Sequence, residues 1–499
     1  MSTGRRPFRS SPTETRIVQR PHVEQAPPPA SEQEVPLIRE PEAALVSPLV
    51  ASRGTFRPML RLALPVVAEQ VLHITVMLTD VWLTGQFLKE AAPLAAIGLM
   101  AYAMWFAIST FEFVAMGATA LVARFIGAGD RQRARVVANQ AFVVGSGLAV
   151  VVTALGLYGA ETYVGVMELR GEAAELAVQY LWIVLPMMPL VMIQRVGIAC
   201  LRGAGDMLTV FWVMAVVNAV NVGVSCGLVM GLGPLPSLGW KGIALGTAAA
   251  YATGGLLVLA VFIVGKSGLG LSLRGLVPNP EVIRRVLRIG VPGGADMLMI
   301  ICCHMWFLRI INQLGNVAAA AHGITVRIES LAFLPGAGFA MAATTLAGQL
   351  LGARQPHRAA RSVWMACLTG GGVMTAMGVV FFIAGPQLVG LFVDPTGGDA
   401  GEIVGTAAYL LKIVAFAMIP LALLMILNGA LRGAGDTRWP LVINLLGFLG
   451  IRIPLAYLLA WYLEWGVAGA WWALLVDCFV RCGMVLYRFF HGGWKRIEV

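Results

Sequence analysis

The phrase LRGAGD occurs twice, at 201–206 in "CLRGAGDMLTVF" and at 431–436 in "ALRGAGDTRWPL". The copies start 230 residues apart (431 minus 201), and the chain around them is mostly apolar. Of the 499 residues, 58% are hydrophobic and only 12% charged. A soluble protein carries roughly a quarter of its residues as charges. Working outward from the two copies, apolar runs with short polar breaks predict twelve membrane-spanning helices. They fall at 59–83, 92–122, 136–160, 176–199, 208–232, 241–265, 290–312, 317–348, 362–388, 404–429, 439–463 and 467–487. A membrane β-barrel would show short alternating segments instead, so the predicted class is an all-α membrane protein.

Six predicted helices separate the two phrases. An even number returns the chain to the same side, so the halves form a parallel repeat. Similarity continues outside the phrase. "LAAIGLMAYAMWF" at 94 aligns without gaps to "AAAHGITVRIESL" at 319, and "RFIGAGDRQRARVVANQA" to "QLLGARQPHRAARSVWMA". "LALPVVAEQ" at 62 matches "IGVPGGADM" at 289. The expected architecture is two pseudo-symmetric six-helix bundles, V-shaped around a central cavity. Residues 56–266 form the first bundle, 267–283 a cytoplasmic linker and 284–490 the second. Residues 1–55, rich in Pro, Arg and Glu, are expected as a disordered cytoplasmic tail, and 491–499 as a second tail.

The net charge of +10 is topological rather than a nucleic-acid footprint. Loops after even-numbered helices, with the C-terminal tail, hold 18 Lys and Arg, including Arg131, Arg202, Arg288, Arg432 and Arg438. Loops after odd-numbered helices hold Lys89, Arg170 and Lys241. This bias places both termini in the cytoplasm. Locally, each LRGAGD ends a helix, its glycine suited to a left-handed cap. The seven cysteines show no zinc spacing, so no metal site is expected, and they read as packing residues.

Ionisable residues inside a membrane are functional candidates by default. The first-half spans hold Glu69, Asp80 and Glu112 against Arg195. The second half holds Asp296, Glu329 and Asp477 against Arg309, Arg327, Lys412, Arg452 and Arg481. The acidic half is where a cation-coupling site belongs. On helix 1, Glu69, His73 and Asp80 share one face, with Glu69 and Asp80 about 16 Å apart along the axis. Two readings stand: a stepwise cation path, or hydrogen-bonding residues of helix packing. Pro65 removes a backbone hydrogen bond and makes either a hinge or a fixed kink. On helix 5, Asn218, Asn221 and Ser225 share a face at spacings i, i+3 and i+7, either as polar partners of such a site or as interhelical hydrogen bonds. Asp477 and Arg481, four apart, read as an internal ion pair. Glu329 reads as a neutraliser of Arg327 or another basic residue.

The chain resembles the multidrug and toxic-compound extrusion (MATE) family over roughly residues 56–490. The resemblance rests on "ALRGAGDTRWPL", "PVVAEQVLHITVMLTDVWLTG" followed by "LAAIGLMA", and the duplication. It implies an antiporter exporting organic, often cationic compounds against inward proton or sodium flow. Asp80 matches the helix-1 aspartate that the family links to ion coupling. Where some members carry a second aspartate on helix 5, this chain has Ser225. Where some place sodium-binding acids on helices 7 and 10, it has Ile300 and no helix-10 acid. Asp296 is the repeat partner of Glu69, each four residues after its proline, and together with Glu329 forms the only candidate site of the second bundle.

The expected function is therefore a multi-pass transporter of the bacterial inner membrane, monomeric and without a cofactor beyond its coupling ion, H+ or Na+. Its expected partners are drug-like small molecules and the lipid bilayer, with no nucleic acid. The runner-up is a flippase or exporter of lipid intermediates or polar metabolites, motivated by the second-half cations. An enzyme is not expected. GAGD satisfies the GxGD pattern of intramembrane aspartyl proteases, but no Tyr-Asp dipeptide supplies the partner motif, and HExxH and the P-loop are absent.

Overall fold

The computed structural model describes residues 48–51, 54–84, 91–231, 236–393 and 399–497. Within these ranges the side chains of residues 48, 73, 76–78, 80–82, 91, 94, 95 and 273 are not described. The described residues are helical throughout, with no strand. Helix α1 is Phe56–Leu83; α2 has two parts, Ala91–Ser109 and Glu112–Gly127; α3 is Arg131–Val166 and α4 Glu172–Ala204. Then follow α5 Met207–Met230, α6 Trp240–Val264, α7 Pro280–Asn312, α8 Asn316–Gly352, α9 Pro356–Gly390, α10 Ala400–Gly433, α11 Arg438–Tyr462 and α12 Gly466–His491. These are the twelve predicted spans.

Local chemistry moves several boundaries. α7 starts ten residues before its predicted apolar run, because the Asn279 side chain accepts from Glu281 N and Val282 N and Pro280 occupies the first turn. Arg284, Arg285 and Arg288, expected as loop cations, thus lie on the helix. The predicted second span is bent by 44° at Thr110 and Phe111, and Glu112 opens its second part. α11 widens into π-helix at Leu446–Arg452 and Leu458–Tyr462, around Pro454, which donates no backbone bond. Pro48–Ala51, on the tail side of the predicted boundary, forms a turn of helix; Val50 is buried and its carbonyl accepts from Arg358 at 2.9 Å.

Each LRGAGD works as a four-part corner. Arg202 and Arg432 end α4 and α10. Gly203 and Gly433 lie where a Cβ would press on the carbonyls of Thr119 and Thr344, so these helices touch backbone to backbone. The threonines complete the contact: Thr119 Oγ1 donates to Ala199 O at 3.0 Å and Thr344 Oγ1 to Gly429 O at 2.9 Å. Gly205 and Gly435 both sit at φ +86°, the left-handed cap. Asp206 then caps α5, accepting from Thr209 N at 3.1 Å. Asp436, between α10 and α11, accepts from Arg488 at 2.9 Å; burial raises its pKa while the Arg488 bond and charge pull it down.

Two lobes meet around a second pseudo-symmetric element. A Cβ on Gly127 would overlap Gln349 O, and one on Gly352 would overlap Arg124 O. These residues correspond pairwise at a constant offset of 225 (352 minus 127, 349 minus 124). α2 and α8 therefore cross in backbone contact where both helices end. Thr345 Oγ1 donates to Arg202 O and Gln349 Nε2 to Gly203 O, each at 2.9 Å, tying α8 to the first LRGAGD. The first turns of α1 and α7 exchange places. Met59, Leu62 and Val66 join an apolar cluster with Phe339, Leu346 and Leu427, whereas Val286 and Ile289 join that of α2–α6. The cleft between the lobes is closed at this arginine-rich end.

Candidate functional site

Two repeated carboxylates meet two repeated arginines. Glu69, on α1 four residues after Pro65, receives Arg202 of the first LRGAGD at 2.6 Å. Asp296, on α7 four residues after Pro292, receives Arg432 of the second. Glu69 and Asp296 are both buried, and both arginines are mostly so. An isolated charge here is prohibitive, and pairing is what allows either group to remain ionised. Sequence reading counted Arg202 and Arg432 as loop cations. A helix-terminal arginine instead reaches back along its long stem to a carboxylate within the bundle.

In the second lobe this pair continues inward. Asn444 Nδ2 donates to Asp296 Oδ1 at 2.8 Å, and Arg481 donates to Asn444 Oδ1 at 3.1 Å. Arg481 also clasps Asp477 through Nε at 2.8 Å and Nη2 at 2.6 Å, the predicted ion pair. Arg452 joins from the end of the first π segment, its Nε 2.9 Å from Asp477 Oδ2. The π turn brings Arg452 to Asp477, and Gly447 makes room for Arg481. Phe448 lies against both guanidinium groups, 4.5 and 4.3 Å from its ring centre. Glu329 on α8 is buried with Arg452 as its electrostatic neighbour, rather than Arg327, which is exposed. Asp296 is thus held by Arg432 and Asn444, and Asp477 by Arg452 and Arg481.

The first lobe is different. Asn218, Asn221 and Ser225 are all buried on α5, which packs against α1. Asn218 Nδ2, Asn221 Oδ1 and Ser225 Oγ have no hydrogen-bond partner among the described residues, nor has Glu69 Oε2. Buried polar atoms are rarely left so, and three on one stripe mark a place that takes a proton, a water or an ion. His73 and Asp80 lie on the backbone of α1, but their side chains fall outside the described residues. Glu112 is half-buried at the start of the helix beyond the α2 bend, with no ion pair among the described residues. Pro65 lies inside α1, which continues through it to Leu83. No cluster of three or more metal-ligating side chains occurs among the described residues.

Sequence reasoning missed Arg202, Arg432 and Asn444. A signal for the arginines existed: the alignment that pairs Glu69 with Asp296 also pairs the two LRGAGD arginines. A repeated acid with a repeated base suggests a repeated contact. Nothing in sequence pointed to Asn444, because the first-half counterpart at the same offset of 230 is Met214.

Two six-helix lobes related by a parallel repeat, with charges paired between their apolar helices, have the architecture of a multi-pass membrane transporter. The MatE family model matches residues 65–226 and 292–458, and the chain belongs to this family of multidrug and toxic-compound extrusion transporters. It is 28% identical to the probable multidrug resistance protein NorM of Thermotoga maritima over 450 residues, covering 89% of this chain and 94% of that one. An outward-facing multidrug resistance MATE family transporter superposes with a TM-score of 0.83 at 21% identity, over 90% of this chain and 99% of that one. A Pyrococcus furiosus transporter of the same superfamily, described as having a binding pocket of reverse polarity, superposes equally well (0.83), at 22% identity over 90% and 98%.

Proposed function

We propose that the protein exports organic, cationic or amphipathic compounds across the bacterial inner membrane in exchange for protons. It works as a monomer, with no cofactor beyond the coupling ion. The arginine-rich end faces the cytoplasm, following the positive-inside bias, so the closed end of the cleft is the cytoplasmic one. The observation that carries this reading is the α5 stripe: Asn218, Asn221 and Ser225 each bury a polar atom with no partner among the described residues, while Asp296 and Asp477 are held by arginines.

Asp80 is the coupling residue, with the α5 stripe as its neutral partners. A carboxyl buried among neutral groups has a raised pKa, so it holds a proton in one conformation and releases it in another. Protonation at Asp80 releases substrate outward, and loss of the proton toward the cytoplasm lets substrate bind again. Glu69, clasped by Arg202, ties the Asp80-bearing part of α1 to the first LRGAGD corner, and Pro65 is the hinge between that part and the first turns of the helix. His73 and Glu112 are the auxiliary proton carriers on this side. Asp80→Asn is expected to abolish gradient-driven export from membrane vesicles while the purified variant melts as the wild type does. Unchanged export would remove Asp80 from the mechanism.

A second reading is an exporter of anionic or lipid-linked metabolites. It rests on Arg309, Arg327 and Lys412, exposed side chains with no ion pair among the described residues. Competition between an organic cation and an anionic lipid precursor for transport separates the two.

A further inference from the structure

Two adjoining hollows lie at the arginine-rich end of the second lobe. One, about 520 Å³, is lined by Arg285, Arg288 and Arg438, with Asp436 and Thr437 of the second LRGAGD corner and Ile497 of the C-terminal segment. The other, about 460 Å³, is an apolar groove between α11 and α12 lined by Trp439, Ile443, Val480, Gly483, Met484 and Tyr487. They are joined at Arg438–Trp439 and through Arg488, which bonds Asp436 in the first hollow and lies 4.9 Å over the Trp439 ring in the second.

Among the described residues the charge in the first hollow is unbalanced. Arg285 is paired with Glu281 at 2.6 Å, and Asp436 is answered by Arg488. Arg288 and Arg438 remain, both exposed and without an ion pair among the described residues. Mere topology would serve both lobes alike. Arg288 does have a counterpart, Arg61, at the offset of 227 that aligns the two prolines (292 minus 65). At the LRGAGD offset, however, Leu208 stands opposite Arg438 and Thr209 opposite Trp439. The composite of surplus cation, aromatic rim and apolar trough is built only in the second lobe.

We propose that this composite binds an anionic phospholipid of the adjacent leaflet, with the phosphate between Arg288 and Arg438 and an acyl chain along the α11–α12 groove. Basic pockets between transmembrane helices hold acidic headgroups by charge, and the apolar trough selects a lipid over a free phosphate. Trp439 and Tyr487 are exposed at the mouth, as aromatic residues are at a membrane interface. Gly483 leaves the trough open, since a Cβ there would meet nothing within 4 Å.

The test is native mass spectrometry of the purified full-length chain with an equimolar mixture of phosphatidylglycerol and phosphatidylcholine. The wild type is expected to retain phosphatidylglycerol preferentially. Arg288→Gln and Arg438→Gln are each expected to reduce that preference about fivefold. Gly483→Leu, which fills the trough with both arginines intact, is expected to reduce lipid retention, and inorganic phosphate is expected not to displace the bound lipid. The altered side chains are exposed or point into open space, so each variant is expected to melt at the wild-type temperature. Equal retention of both lipids, or preference unchanged in both arginine variants, overturns the proposal. So does displacement by inorganic phosphate with no effect of Gly483→Leu, which would indicate a simple anion site.

Discussion

Arg202 illustrates how a residue assigned to a loop becomes part of the membrane interior. Its guanidinium group is held at Glu69 by a 2.6 Å contact, and removing either partner strands the other charge. Breaking a buried pair costs about 3–5 kcal/mol, whereas replacing both members is much milder. Arg202→Gln is therefore expected to lower the melting temperature strongly, and Glu69→Gln combined with Arg202→Gln to recover most of the loss. Arg432→Gln against Asp296→Asn with Arg432→Gln should repeat the pattern in the second lobe. A double variant as unstable as the single one would show that the arginines are needed for other contacts. The acids were legible in sequence because a charge in an apolar run is conspicuous. Their partners were not, because a side chain's reach depends on where its helix ends in space.

At the scale of elements, glycine decides the closed end of the cleft. Gly127 and Gly352 let α2 and α8 cross in backbone contact, with Gln349 O and Arg124 O in the space a Cβ would fill. Even alanine forces these helices apart, so Gly127→Ala or Gly352→Ala should widen this end. Distances between spin labels on the ends of α2 and α8 are expected to lengthen, and gradient-driven export to fall. An unchanged distance distribution would mean that the helices yield without separating. The helices themselves were predictable from apolar periodicity. Their breaks were less so. The bend before Glu112 and the π turns of α11 reflect tertiary demands, such as bringing Arg452 to Asp477, that local sequence does not express.

For the whole molecule, opening the closed end must break Thr345–Arg202 and Gln349–Gly203, the hydrogen bonds from α8 to the first LRGAGD corner. Thr345→Val with Gln349→Leu removes both donors while keeping bulk. The population open at the arginine-rich end is then expected to rise, read as increased labelling of a cysteine placed inside that end. Transport in vesicles with a pH gradient or a sodium gradient imposed separately decides the coupling ion. Export driven by the pH gradient alone is expected, and export driven only by sodium would overturn the proton reading.

The twelve helices, the parallel repeat and the family were legible in the chain read in order, because apolar length and a duplicated corner are linear properties. The sequence also marked α1 and α5 as the polar helices of the first lobe. That the LRGAGD arginines clasp Glu69 and Asp296, and that α1 and α7 begin in the opposite lobe, emerges only in three dimensions. Only folding revealed which buried polar atoms are left over. The reason is physical: hydropathy acts residue by residue along a helix, whereas charge pairing and backbone contact depend on distances between segments more than 100 residues apart.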